Sequence, residues 1–404
     1  MNLAVLTTFA NEVETELHEL LRWWMKYTVD EENGGFYGKI DNNNISTPQA
    51  PKGLVLNARI LYTFSSAYAL TKEPAYLNMA NRAFEYISKH FLDTKYGGFY
   101  WSLTYAGDVL DGKKQIYGQA FAIYALAEYY KITANTKALS LAQGTFALIE
   151  KYSFDPIYLG YLEAFSIDWK LQEDLRLSDK DQNEQKSMNT HLHVVEAYAN
   201  LYTVWPDETL KTAISNLLAN FKQHIIDQKT NHLHLFFTAN WEVKSTVTSF
   251  GHDIEAAWLL QEAAESIADE TEISTFKTLA LQLSAATKKG LAKNGGLWYE
   301  YDTASNHWIK EMHWWPQAEA MVGFFYAFQL NGDEKYLKHS LHSWEFIKNY
   351  LKDKMNGEWY WGIHEDYSLL QGEDKAGFWK CPYHNGRACL EIIKRIKLHG
   401  NHPQ

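Results

Sequence analysis

The sequence predicts an all-α protein, an (α/α)6 barrel of six inner and six outer helices with short β-hairpins at the active-site end. Three observations predict it. Short glycine–aromatic segments recur along the 404 residues, 63 apart from Gly35 to Gly98 and 61 apart from Gly296 to Gly357. Between them lie pairs of helical patterns, one member apolar on most faces and the other on one face only. The last repeat has no polar face to cap an open stack, which favours a closed ring over a solenoid of helix pairs.

The elements follow in order. A one-sided helix is predicted over Leu6–Tyr27, then Gly34-Gly35-Phe36-Tyr37, where glycine permits a tight turn and the alternation beyond it suits a short strand. The apolar pattern Leu54–Leu70 comes next and should be surrounded by protein. The outer kind returns over Pro74–Phe91, Thr136–Tyr152, Glu208–Ile226, Glu272–Gly290 and Glu334–Leu351. The inner kind returns over Tyr117–Tyr130, Thr190–Val204, Asp253–Ile267, Gln317–Leu330 and Asn385–Leu398. Hairpin segments stand between them at Gly97-Gly98-Phe99-Tyr100, Gly160-Tyr161, Leu233-His234-Leu235-Phe236, Gly295-Gly296-Leu297-Trp298 and Gly357-Glu358-Trp359-Tyr360. One domain over residues 1–404 is expected.

Composition narrows the function. Hydrophobic residues are 46% of the chain, so a large core is available. A formal net charge of -11 without a basic block argues against nucleic acid and anionic membranes as partners. Two cysteines, Cys381 and Cys389, form no disulfide framework and suit a reducing compartment. Met1–Leu17 lacks the basic start and apolar run of a signal peptide, and no apolar stretch is long enough to span a bilayer. A soluble, cytoplasmic protein is expected, and a monomer, because no helix face presents a dimer seam. Aromatic residues reach 15%. Most must be core, but sugar-binding clefts also need flat apolar faces.

In the barrel the short strands and the starts of the inner helices meet at one end. That end collects His191 and His193 after Asn189, His252 before Glu255, and His384, together with Arg59, Tyr117 and His313-Trp314-Trp315-Pro316-Gln317. Imidazoles at three equivalent points of a repeat suggest one acid–base site assembled from distant segments. His191 should point away from His193 and be structural. Asn189 can bind a hydroxyl, and Glu255 can orient an imidazole or raise its basicity. Trp314, Trp315 and Trp379 stand at the rim, where a ring can stack on a sugar. Arg59, inside the apolar run Leu54–Leu61, should either meet Glu255 or Glu319 or face an anionic intermediate. Zinc signatures such as His-Glu-x-x-His are absent, so no metal is expected. Glu163, Asp253, Glu255 and Glu319 are the carboxylates that a glycoside hydrolase reading would need.

Four motifs, Ser187-Met188-Asn189-Thr190-His191-Leu192-His193, Ser249-Phe250-Gly251-His252-Asp253-Ile254-Glu255, His313-Trp314-Trp315-Pro316-Gln317-Ala318-Glu319 and Gly377–Arg387, resemble those of the cellobiose 2-epimerases in the N-acylglucosamine 2-epimerase superfamily. Asn57–Leu61 and Asp174–Ser178 extend the resemblance over nearly the full chain. It implies the (α/α)6 barrel and reversible inversion at C2 of the reducing-end glucose of β-1,4-linked disaccharides, without a cofactor. In those terms His252 and His384 flank the sugar, His193 assists ring opening, Glu255 orients an imidazole and Arg59 stabilises an enediolate. Asn189, Tyr117, Glu319 and the tryptophans Trp314, Trp315 and Trp379 bind the sugars. A monosaccharide 2-epimerase or an aldose–ketose isomerase would share nearly all of this site.

Overall fold

The computed structural model describes residues 3–401. Among them twelve α-helices follow in chain order: α1 (Leu3–Tyr27), α2 (Leu54–Thr71), α3 (Pro74–Tyr86), α4 (Ile116–Thr133), α5 (Thr136–Tyr152), α6 (Met188–Tyr202), α7 (Glu208–Asn220), α8 (Phe250–Ser266), α9 (Glu270–Thr287), α10 (Trp314–Asn331), α11 (Glu334–Phe346) and α12 (Tyr383–Asn401). The even-numbered helices are the apolar ones. In α2 every residue from Leu54 to Ala67 is buried, and in α4 every residue from Ile116 to Tyr129. A helix apolar on all sides has to be enclosed, and these six enclose one another. α2 packs on α4, α4 on α6, α6 on α8, α8 on α10, α10 on α12, and α12 returns to α2.

The odd-numbered helices form the outer layer, α3 on α2, α5 on α4, α7 on α6, α9 on α8 and α11 on α10. α1 lies on α12, so the first helix of the chain covers the last inner one. Asn135, Asp207, Asp269 and Asp333 cap the amides that open α5, α7, α9 and α11. The barrel is closed, as the repeat pattern predicts. Met1, Asn2 and residues 402–404, parts of the expected leaderless start and single domain, lie outside the described residues.

The hairpins stitch neighbouring repeats rather than standing alone. Each glycine–aromatic segment makes one bridge within its own repeat, such as Leu92 with Phe99 and Lys352 with Trp359. Gly34, Gly97 and Gly357 all have φ of 78°, and Leu159 and Asn231 take the same left-handed place in the third and fourth repeats at 63° and 57°. The chain then pairs with the strand before the preceding inner helix. Ser102–Leu103 pairs with Lys52–Gly53, Ala164–Phe165 with Lys114–Gln115, and Gly362–Ile363 with Met312–His313. A bridge from Ile40 to Ala376 joins the first repeat to the last.

Two polar devices hold this end of the barrel. Buried lysines before the inner helices reach aspartates at the hairpin turns: Lys52 to Asp30 at 2.7 Å, Lys114 to Asp93 at 2.7 Å, Lys186 to Asp155 at 2.9 Å and Lys375 to Asp353 at 2.6 Å. Five residues after Lys114 and after Met312, Gln119 and Gln317 bond the backbone of Phe99 and Leu297. His191 and Asp253 stand at the same position of their repeats, and receive the amides of Tyr161 and Leu233. His191 also bonds the Ser187 carbonyl at 2.6 Å, so both of its nitrogens serve the scaffold.

Candidate active site

Seven residues beyond Lys52, Lys114, Lys186, Thr248, Met312 and Lys380 stand Arg59, Phe121, His193, Glu255, Glu319 and Arg387. One position of the repeat therefore lines the barrel axis. The Arg59 guanidinium lies 4.1 Å from the Phe121 ring centre, Phe121 and His193 are 4.7 Å apart, and Arg387 donates to Glu255 and Glu319 at 2.8 and 2.6 Å. One turn nearer the helix starts, His252 and His384 occupy a common repeat position. The expectation of three equivalent imidazoles is thus corrected: His252 and His384 are equivalent, and His193 lies a turn deeper, because it sits three residues further along its helix.

Trp315 joins the two equivalent imidazoles. Its ring centre is 4.6 Å from that of His252 and 5.6 Å from that of His384. The partners of the two histidines differ. His252 Nδ1 is 2.8 Å from the Ser249 hydroxyl, whereas His384 Nδ1 is 2.7 Å from Glu319 Oε1. Burial lowers the pKa of His252 to about 3. Burial, then Arg59 and Arg387, push His384 well below its ordinary value. His193 is also lowered by burial, against the pull of Glu196, whose Oε2 is 2.8 Å from its Nδ1.

Glu255, expected to orient an imidazole, is 4.0 Å from His384 Nδ1 and bonds Arg387 instead. Glu319, expected to hold a sugar hydroxyl, spends Oε1 on His384 and Arg387 and Oε2 on the Trp258 indole. It takes the orienting place because α10 lies beside α12, a neighbour relation that spacing along one helix does not show. Burial raises both carboxyls, and their mutual repulsion adds to the rise in Glu255, while Arg387 opposes it. The donor atoms of Glu255, Glu319 and His384 fall within 4.8 Å of one another, a cluster that could hold a cation. Arg387 Nη2 already lies against both carboxylates, so this guanidinium fills the cationic role there.

Arg59 meets neither Glu255 nor Glu319, which Arg387 occupies. Its Nη2 donates to the Tyr117 hydroxyl at 2.7 Å, its Nη1 points to the Trp379 carbonyl and the Cys381 sulfur, and its Nε has no partner. No carboxylate pairs with it among the described residues. Burial works against its charge, yet Tyr117, Cys381 and Tyr383 more than compensate and keep its pKa raised. A buried guanidinium of this kind is suited to face negative charge on a ligand.

The sugar-binding candidates are spread around this centre. Tyr117 stands edge-on to His193 at 5.0 Å and to Trp379 at 6.1 Å. Trp379 and Trp315 are half-buried, while Trp314 is buried against Trp361 at 4.4 Å and supports His384 from behind. Asn189 Oδ1 is buried without a partner and borders a cavity of about 20 Å³ shared with Leu175, Arg176, Leu177 and Asp181, from the segment that precedes α6. Of the four carboxylates a hydrolase would need, Glu255 and Glu319 are held in the site by Arg387 and the other two are engaged elsewhere. Asp253 holds His232 at 2.6 Å, and Glu163 accepts from Ser187 and Thr190.

Four functional residues went unrecognised as such in the sequence: Arg387, Glu196, Tyr383 and Ser249. Superposing the repeats finds Arg387, which stands where Arg59 does. Glu196 is three residues after His193, the spacing that brings two side chains together on a helix.

A family model described as N-acylglucosamine 2-epimerase (GlcNAc 2-epimerase) matches residues 35–388. The chain is 48% identical to the cellobiose 2-epimerase of Bacteroides fragilis, over 95% of this chain and 98% of that one. It is 39% identical to the cellobiose 2-epimerase of Dictyoglomus turgidum, over 97% and 100% respectively. The solved structure of the cellobiose 2-epimerase of Bacillus thermoamylovorans B4167 superposes with a TM-score of 0.92 at 39% identity, over 96% of this chain and 100% of that one. With a closed barrel, paired imidazoles at its mouth and these relatives, the chain belongs to the N-acylglucosamine 2-epimerase family.

Proposed function

We propose that the protein epimerises the reducing-end sugar of β-1,4-linked disaccharides at C2, interconverting cellobiose and glucosyl-mannose, and lactose and epilactose. One observation carries the reading: His252 and His384, from two different repeats, face a shared indole beside a guanidinium that no carboxylate neutralises. A C2–H bond yields its proton only when the ring is open and C1 is a free carbonyl. His193, held by Glu196, is placed to move a proton at the O1/O5 side and open the ring. One imidazole then takes the C2 proton, the electron pair passes into the C1–C2 enediolate, and Arg59 faces the new negative charge. The other imidazole returns a proton to the opposite face of C2, which inverts it. Each positioned acid or base is worth about 10²–10⁴-fold.

Asn189 and Tyr117 supply hydroxyl partners, and Trp315 and Trp379 flat faces. The reading needs no bound cofactor, because both proton transfers and the charge stabilisation come from side chains. It places the enzyme as a monomer and one domain in a reducing compartment, consistent with two buried free cysteines. What favours a disaccharide over a single sugar is the name carried by the relatives at 48% and 39% identity.

Turnover of cellobiose in deuterium oxide tests the chemistry. The expected product is glucosyl-mannose with solvent deuterium at C2 by NMR. Unlabelled epimer would exclude proton abstraction, free glucose would indicate hydrolysis, and faster turnover of free mannose or glucose would transfer the activity to monosaccharides.

A further inference from the structure

We propose that Arg387 is a positioning residue that ties the two carboxylate–imidazole pairs of the site, Glu196 with His193 and Glu319 with His384, into one unit, so that each imidazole senses the charge of the other. The proposal rests on the epimerase reading for its role, but its evidence is geometric. Arg387 is 1% exposed and cannot exchange its partners for water. Its Nη1 donates to Glu196 Oε1 at 2.5 Å, and its Nη2 to Glu319 Oε1 at 2.6 Å and Glu255 Oε1 at 2.8 Å. The same Glu319 oxygen is the one that holds His384, while the other oxygen of Glu196 holds His193. Tyr383, whose hydroxyl accepts from Arg387, donates its one proton to the Glu196 carboxylate, whose oxygens lie 2.6 and 2.8 Å away, and closes the cluster. A planar fork suits this bridging and an ammonium does not.

Glu196, Glu255 and Glu319 converge on Arg387 with Arg59 nearby, and burial raises the carboxyls of Glu255 and Glu319 while Arg387 and His193 keep that of Glu196 low. Burial and the two arginines already oppose protonation of either histidine, and a first imidazolium opposes a second further, because both lean on the same cluster. His193 is surrounded by Arg59, Tyr117, His252, Tyr383, Arg387 and its own Glu196. His384 is faced by Arg59 from α2, His193 and Glu196 from α6, Glu255 from α8, Glu319 from α10, and Tyr383 and Arg387 on its own helix, so that His193 also acts on it directly. Arg387 is the group hydrogen-bonded to both carboxylates. Ring opening at His193 and proton transfer at His384 act on one substrate in succession, and coupling makes a proton on one imidazole lower the proton affinity of the other.

The test is Glu196→Gln in the full-length protein, read by NMR at the His384 Nδ1–H resonance and by pH-dependent kinetics on cellobiose. The expected result is a moved His384 resonance, although Glu196 does not touch His384. A fall in kcat of about 10²-fold with KM little changed should accompany it. In an Arg387→Lys background the same substitution should move His384 much less, because a lysine cannot bridge both carboxylates and only the direct field of Glu196 remains. Arg387→Met should shift the acid limb of kcat/KM to higher pH, since it removes a charge that opposes protonation of both imidazoles. An unmoved His384 resonance in Glu196→Gln overturns the proposal, as does an equal shift in the Arg387→Lys background. If Arg387→Met does not fold, these two resonances still decide. They are measured without substrate, so loss of the epimerase reading, seen as unlabelled or absent product from the wild type, is a separate outcome.

Discussion

Arg59 shows how a single residue divides between what sequence and structure each reveal. An arginine inside an apolar run must be compensated, and that much is legible from Leu54–Leu61 alone. Which group compensates it is not, because two arginines and three carboxylates from five helices compete for partners at one depth, and only the ring order of the helices decides. With Arg387 holding Glu196, Glu255 and Glu319, Arg59 is left for the substrate. Arg59→Met should therefore cost about 10²–10³-fold in kcat, as loss of an oxyanion partner does, with little change in KM for cellobiose. An equal rise in KM with kcat intact would instead make Arg59 a ground-state ligand. His252→Ala and His384→Ala should each lose about 10²-fold or more while circular dichroism stays that of the native protein. His191 gives the converse case. Burial lowers its pKa to about 3, so the folded protein keeps it neutral while the unfolded chain takes up a proton near its ordinary value of 6.5. Its contribution to stability is therefore complete above pH 6.5 and is lost progressively as pH falls toward 3. Gln119 and Gln317 occupy its position in other repeats, so His191→Gln should fold, keep activity, and lose less Tm than the wild type between pH 7 and 5. A steeper loss would mean that His191 is not the titrating group.

Among the elements, the helices were readable because apolar residues on every face leave a helix no choice but the inside. The short strands are readable as hairpins, but their pairing is not. Glycine followed by aromatic residues marks the hairpin, yet the partner strand lies in the neighbouring repeat, beyond the reach of local alternation. The repeats also explain one another. Asp93 and Lys114 are 1% and 0% exposed and paired at 2.7 Å, whereas the fifth repeat has Ala292 and Met312 at these positions, both apolar. Its turn is one residue shorter, and Met312 instead packs beside Gly296. The chain has thus lost both partners of the pair together. Lys114→Met alone should cost about 3–5 kcal/mol by chemical denaturation, because it strands a buried carboxylate. Adding Asp93→Ala should recover most of that loss. A double variant no more stable than the single one would show that the aspartate's capping of Lys95 and Tyr96, not the ion pair, holds the turn.

At the scale of the whole molecule, the ring closes where α1 meets α12, and the helix that carries His384 starts at that seam. α1 covers α12, Trp24 donates to Glu358 at 3.2 Å, and Trp359 donates to Glu16 at 2.8 Å. Glu358 in turn holds Lys380 at 2.6 Å and Asn385 at 2.7 Å, the residues on either side of the turn that presents His384. A sequence shows that the first and last repeats must cover each other if the barrel is closed, but not that one glutamate carries the seam to the site. Trp24 is fully buried, so Trp24→Ala should cost about 3–5 kcal/mol in stability through the cavity it leaves. It also takes a donor from Glu358, which frees the first turn of α12 and misplaces His384 against Trp315. At a temperature where the variant remains folded by circular dichroism, kcat on cellobiose should still fall below the wild type, whereas Phe146→Ala, in an outer helix away from the seam, should lower stability and leave the kcat of the folded fraction unchanged. Full kcat in folded Trp24→Ala would separate closure of the barrel from placement of the imidazole.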